Sequence, residues 1–282
     1  MYLNIFNVGH GFCAYLRTDA QTGILFDCGH DDEVGFRPSR FFPSRGIQNI
    51  EKFVLGNYDH DHVSDLPNLL SVANVETFTR NRSIDVAQLR TLKLGSGPLT
   101  NGLRTMLTLH ETYVHPVREV DFGGVELTVF HNNYPSFSDT NNLSVVSFIS
   151  FDGLGIMIPG DLECAGWESL LELESFRAAL QKTSLFVGSH HGREGGYCEE
   201  VFSYCKPQVV IISDGPVQYD SQKDLYRKHA AGLPWNVGCP DQTTRYVLTT
   251  RCDGHLTISK QPGRPYFINA SQVLGMAMAA AS

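Results

Sequence analysis

The stretch that decides the reading is Leu55-Gly56-Asn57-Tyr58-Asp59-His60-Asp61-His62-Val63-Ser64-Asp65-Leu66. A short apolar run, Lys52-Phe53-Val54-Leu55, leads into it and reads as a buried strand. Residues 65–73 follow with the spacing of a short helix. Within this strand-to-helix turn, Asp59, His60, Asp61 and His62 supply two carboxylates and two imidazoles in four consecutive positions. These are ligand types that zinc, manganese or iron take. A helix-capping acidic turn would account for one aspartate and not for the set.

Working outward, period-2 patterns predict strands at 2–8, 12–17, 23–27, 124–130, 143–151 and 154–158, and further strands at 185–188, 209–213, 245–249 and 255–259. Helical spacing appears at 83–94, 165–182, 197–205 and 220–231, while 74–109 is otherwise weakly patterned. Strands in two blocks with helices after each block predict two sheets packed face to face with helices outside. No internal repeat or low-complexity linker divides the chain, so residues 1–260 read as one domain and 261–282 as a C-terminal extension.

Several candidate ligands fall at predicted strand ends. Asp27 closes the strand at 23–27, Asp161 follows 154–158 as Pro159-Gly160-Asp161, and His190-His191-Gly192 follows 185–188. Asp139-Thr140-Asn141-Asn142 precedes the strand at 143–151, and His10 lies in the first turn. Carboxylates and histidines at separated strand ends can converge on a metal cluster, with Asp161 as bridge. The isolated His30, His110, His115 and His131 read as structural.

At 282 residues, 42% hydrophobic and 18% charged, the chain has the composition of a soluble globular protein with a substantial core. A formal charge of −8 argues against a broad basic footprint for duplex nucleic acid. The seven cysteines contain no CxxC pair, which removes a zinc knuckle and a thioredoxin-like motif. No run is long enough to span a membrane, and Met1 leads directly into a strand pattern, so the expected location is cytoplasmic.

Together, Asp59-His60-Asp61-His62, Gly160-Asp161 and Ser189-His190-His191-Gly192 resemble the metal motifs of the metallo-β-lactamase superfamily. The nearest branch is the hydrolase domain of the DNA-uptake channel ComEC. That branch typically opens Asp-Val-Gly-Gln-Gly, where this chain has Asn7-Val8-Gly9-His10-Gly11. Asp27-Cys28-Gly29 and Asn141-Asn142-Leu143-Ser144 match further branch motifs in order, so the resemblance runs from residue 1 to about 260.

The resemblance implies an αββα sandwich with two divalent metal ions, Zn²⁺ or Mn²⁺, at one edge of the sheets. Asp61 and His62 would serve the second metal, Asp59 the first, and Asp161 would bridge. One of His190 and His191 would complete the cluster, with His190 slightly preferred. Asp27 would orient a ligand histidine, and His10 and Asn142 would line the pocket. His60 has no ligand counterpart and is assigned to proton transfer beside the catalytic Asp61. Asn57 stands where the superfamily has its first histidine, and Asp139 or Asn141 where the third-motif histidine falls. The first metal site is therefore expected to be weak.

The function this implies is hydrolysis of a phosphodiester, in single-stranded DNA or a nucleotide-like anion, with Arg193 and Tyr219 near the substrate. The same scaffold also accommodates cleavage of an ester, lactone, thioester or phosphocholine ester. A catalytically degraded binding or regulatory subunit is the third reading. A partner subunit has no signature of its own in the sequence.

Overall fold

The computed structural model describes residues 1–115, 119–215 and 221–273. Its two main sheets stack in the middle of the chain's fold, with helices on both outer faces. The first has seven strands in the spatial order Phe267–Ser271, His255–Ser259, Tyr2–Ile5, Ala14–Arg17, Gly23–Phe26, Lys52–Val54 and Phe78–Thr79. The second has six: Val247–Thr249, Val209–Ile212, Leu185–Val187, Leu154–Ile158, Val145–Phe151 and Glu126–His131.

Alternation along each strand explains why both faces of both sheets are covered. In the first sheet Ile24, Phe26 and Val54 point into the space between the sheets, while Leu25 and Phe53 point outward to join Leu66, Leu69, Met106 and Leu107. In the second sheet Ile156, Ile158, Leu185 and Val187 point inward. Met157 and Phe186 point the other way and pack with Trp167, Leu170, Phe176 and Tyr226. A period of two places consecutive apolar residues in two different cores, so the strands read as continuous apolar runs. The result is four layers, α-β-β-α, as expected from the strand blocks.

Three features differ from the sequence expectation. Residues 197–205 form a short 3₁₀ turn, Glu199–Ser203, and no α-helix. The helix Asn101–Thr112 was hidden behind the Gly95-Ser96-Gly97-Pro98 break. Its start is set by Thr100, whose hydroxyl accepts from the Leu103 N–H at 3.3 Å. Finally, His255–Ser259 crosses back to pair with Tyr2–Ile5, and Phe267–Ser271 extends that sheet. Sheet pairing thus continues beyond residue 260, into the stretch read as an extension.

Parallel pairing positions the site. Gly23–Phe26 runs parallel to Lys52–Val54, with Phe26 opposite Val54. Leu154–Ile158, Leu185–Val187 and Val209–Ile212 are likewise parallel neighbours. The segments after these strands therefore emerge at shared strand ends, where α/β folds build their sites. The Val145 N–H donates to the Gly56 carbonyl at 2.8 Å and ties the two sheets together there.

His110, 4% exposed, lies between the rings of Tyr58 and Phe78, at centroid distances of 5.7 and 5.4 Å. Burial pushes its pKa down to about 3, so it folds as the neutral ring. The unfolded chain takes up that proton near about pH 6.5, so it binds more protons than the fold below that pH. The contribution is complete above about pH 6.5 and is lost as pH falls toward 3, by up to about 1.4 kcal/mol per unit. Burial of His255, down to about 4, acts with the same sign. Urea unfolding midpoints are expected to fall between about pH 7 and 5, and less steeply in His110→Phe.

Candidate metal centre

The motif 59–62 folds as a 3₁₀ turn, His60–His62, pinned at several backbone points. The Phe12 N–H donates to the Asp61 carbonyl at 3.3 Å, and the Cys28 N–H donates to the His62 carbonyl at 2.7 Å. Glycine is needed beside it: a Cβ on Gly29 would stand 1.8 Å from the Asp61 carbonyl oxygen, and one on Gly11 would stand 2.4 Å away.

Asp61, His62, Asp161 and His191 converge, with one ligand atom from each all within 4.8 Å of one another. His62 Nε2 lies 3.1 Å from Asp161 Oδ1, and His191 Nε2 lies 3.2 Å from Asp61 Oδ2 and 3.6 Å from Asp161 Oδ1. Each imidazole is oriented from behind. His62 Nδ1 is 2.7 Å from Asp27 Oδ2, and His191 Nδ1 is 3.0 Å from the Ser213 carbonyl. A proton on each Nδ1 leaves the Nε2 lone pair facing carboxylate oxygens.

Those two Nε2 atoms are buried and make no hydrogen bond of acceptable geometry, although both are close enough to carboxylates for charge attraction. Two lone pairs and two carboxylates pointing at one volume require a positive charge there. A divalent cation fits this donor set of two nitrogens and two oxygens. The proton affinities show the same pull on positive charge at this volume. Burial would raise the carboxyl of Asp61, but the close imidazoles of His10 and His191, with His62 beyond them, hold it well below the usual range. Asp161, against the same burial, is pulled to about 2 by His62 and His191. Burial lowers the affinity of His62, and Asp161 and Asp27 reverse this to well above normal.

The backbone at the second histidine motif is unusual. His190 and His191 both adopt left-handed conformations, with φ of 50° and 56°. Such residues cost about 1 kcal/mol or more each. The consequence is that His191 enters the cluster and His190 does not. His190 Nδ1 instead lies 3.5 Å from Glu163 Oε1, and its Nε2 lies 3.3 Å from Arg193 Nη1. Asp27 is also left-handed, at φ 56°. Its Oδ1 accepts from the Gly56 N–H at 2.6 Å, so this carboxylate fixes both the His62 ring and the start of the motif loop.

The other candidates lie around this centre. His10 Nε2 is 3.2 Å from Asp61 Oδ2 and 2.8 Å from Arg193 Nη2. One nitrogen cannot donate to the first and accept from the second, so it serves one partner at a time. Asp59 is not in the cluster; its carboxylate pairs with the Lys93 ammonium and accepts from the Thr140 hydroxyl at 3.1 Å. Asp139 accepts from the Asn142 backbone and side chain, Asn142 Oδ1 accepts from the N–H groups of Glu163 and Gly166, and Asn141 Nδ2 donates to Glu163. His60 is exposed and bonds Thr100. Tyr219 lies outside the described residues. Lys93 and Ser213 carried no sequence signal, because each is joined to the site only by tertiary contact.

An open cavity of about 680 Å³ adjoins the motif, lined in part by Asp59, His60, Lys93, Asp139 and Thr140. Asp27→Asn tests how the histidine is held. An amide can accept from only one of the His62 and Gly56 donors, so the other loses its partner. Metal affinity is expected to drop about 10–100-fold, measured by competition with a chelating dye.

No family model matches the chain. It is 23% identical over 233 residues to ComE operon protein 3 of Bacillus subtilis (strain 168), covering 76% of this chain. The chain has the metallo-β-lactamase fold. It spans 28% of the length of that curated relative. Among solved structures, it resembles CmlA, a diiron β-hydroxylase from Streptomyces venezuelae, with a TM-score of 0.51 and 12% identity. That match covers 92% of this chain and 54% of CmlA. A metallo-β-lactamase from Cronobacter sakazakii matches 64% of this chain and 74% of its own, at 16% identity and a TM-score of 0.40. The sequence likeness is to a ComE operon protein, and the fold carries a potential divalent-metal site. No helix among the described residues is long and apolar enough to cross a membrane.

Proposed function

We propose that this metallo-β-lactamase-fold domain is a metal-dependent phosphodiesterase acting on single-stranded DNA or a nucleotide-like anion. The observation that carries a metal role is the pair of buried, unpartnered Nε2 atoms of His62 and His191 facing Asp61 and Asp161. The motif resemblance to the hydrolase domain of a DNA-uptake channel favours a nucleic-acid substrate.

Asp61, His62, Asp161 and His191 would hold Zn²⁺ or Mn²⁺. A bound ion of this kind acts as a Lewis acid and makes water a competent nucleophile near neutral pH. The chain's own residues supply the remainder. Asp27 and the Ser213 carbonyl keep the two imidazoles in the ligating tautomer. Arg193, beside His10 and His190, offers a guanidinium to a phosphate oxygen. Lys93 neutralises Asp59 on the cavity wall, which removes a carboxylate charge that would repel an anionic substrate. His60, exposed on the cavity wall, would pass a proton to the leaving oxygen.

The deciding assay offers metal-loaded protein bis-para-nitrophenyl phosphate, single-stranded DNA and para-nitrophenyl acetate. Metal-stimulated cleavage of the first two is expected. Ester cleavage alone would replace this reading with that of an ester hydrolase.

A further inference from the structure

We infer that this centre holds a single divalent ion, and that the Lys93 ammonium takes the place a second ion would have. The inference rests on the metal reading above and concerns how many ions the site accepts. It comes from comparing the two halves of the site.

In one half, Asp61, His62, Asp161 and His191 each bring a ligand atom to a common volume, and the Nε2 atoms of both histidines make no hydrogen bond there. In the other half every potential ligand is already committed. Asn57, fully buried, uses its Oδ1 to accept from the Asp59 N–H at 2.7 Å. That donor can only face an oxygen, so the amide's orientation is fixed and its nitrogen end points the other way. Its Nδ2 then donates to Ser144 Oγ at 3.0 Å and lies 3.3 Å from Asn141 Oδ1. Ser144 Oγ in turn accepts from the Asp161 N–H at 3.1 Å, so this amide network stands directly beside the bridging candidate. Donor hydrogens there repel a cation.

Asp59 is the remaining carboxylate of this half, and Lys93 neutralises it. Lys93 is 7% exposed and reaches Asp59 from the helix Val86–Ser96. Thr140 donates to the same carboxylate oxygen. A divalent ion bound at Asp59 would face the Lys93 ammonium at short range and have to displace it from the carboxylate. Asp139 lines the cavity, but its oxygens receive the N–H groups of Asn142. The half therefore carries a built-in monovalent cation with its own hydrogen bonds. Its charge is spent on the Asp59 carboxylate, so this half is closed to an ion.

The test counts metal. The purified chain is equilibrated with Mn²⁺, passed through a desalting column and assayed by plasma mass spectrometry, with spin-resonance spectra of the same samples. One Mn²⁺ per chain with the hyperfine pattern of an isolated ion is expected. The double variant Asn57→His, Lys93→Gln is expected to take up a second Mn²⁺ and show exchange coupling between the ions. Circular dichroism and a thermal melt establish that this variant folds. If it does not, Lys93→Gln alone is titrated, with a second, weaker Mn²⁺ expected. Two ions bound to the unaltered chain would overturn the inference, and so would a folded variant that stays at one. An unaltered chain that binds no Mn²⁺ or Zn²⁺ would overturn the metal reading itself. The count is independent of phosphodiester turnover, so failure of the substrate reading is scored separately.

Discussion

Asp161→Ala is expected to abolish metal-stimulated phosphodiester cleavage, with a loss of about a thousandfold or more. The carboxylate stands 3.1 Å from His62 Nε2 and 3.6 Å from His191 Nε2, at the centre of the donor set. Its negative charge also offsets the buried imidazoles, and they in turn pull its pKa to about 2. Alanine removes a ligand and that compensation together, so metal affinity falls along with turnover. The effect should be local. Asp161 follows the strand Leu154–Ile158, whose ladder to Val145–Phe151 is untouched by the change. Circular dichroism should therefore remain native while equilibrium dialysis shows metal lost. Retained turnover in a well-folded Asp161→Ala protein would mean that the reaction is carried out elsewhere. Asp161→Asn keeps the shape and removes the charge, and is expected to lose activity to a similar extent.

Gly29→Ala should damage the fold and the site through one contact. Its added Cβ would meet the Asp61 carbonyl oxygen at 1.8 Å and the Phe12 carbonyl oxygen at 2.8 Å. Both are backbone atoms, so no rotamer change relieves the clash. Gly29 also donates its N–H to Phe12 at 2.9 Å, which prevents it from moving away at no cost. The turn carrying Asp61 and His62 must shift instead. A stability loss of about 1–3 kcal/mol or more is expected from the urea midpoint, together with weakened metal binding. Gly95→Ala is the control: it lies within the helix Val86–Ser96 with nothing within 4 Å of an added Cβ. There a gain of about 0.5–1 kcal/mol is expected. Equal losses in both variants would show that the Gly29 contact is not what holds the turn.

The sequence showed the layers well because the central strands, such as Gly23–Phe26, Leu154–Ile158, Leu185–Val187 and Val209–Ile212, are buried on both faces, giving short apolar runs ended by turn residues. The crossing of His255–Ser259 back to Tyr2–Ile5 had no local signal, because pairing partners as far apart as Leu3 and Ile258, 255 residues, share nothing a window can read. The helix Asn101–Thr112 was obscured by the glycines and proline before it, although its buried Leu103, Met106, Leu107 and His110 have helical spacing.

For the site, residue type and order alone nominated Asp61, His62, Asp161 and a histidine from 190–191. Tertiary structure decided which donors share a volume. Consecutive left-handed residues send His191 inward and leave His190 beside Glu163 and Arg193, a choice that adjacent identical letters cannot encode. Within the opening stretch 55–66, Asp59 and Asp61 are the same residue two positions apart. Asp61 faces two histidines, whereas Asp59 faces a lysine delivered by a helix more than 30 residues later. The sequence by itself determined that metal-binding chemistry is concentrated in this turn. Only the packed structure decided which carboxylate keeps its charge available for a metal, because that depends on what the rest of the chain brings within a few ångströms of it.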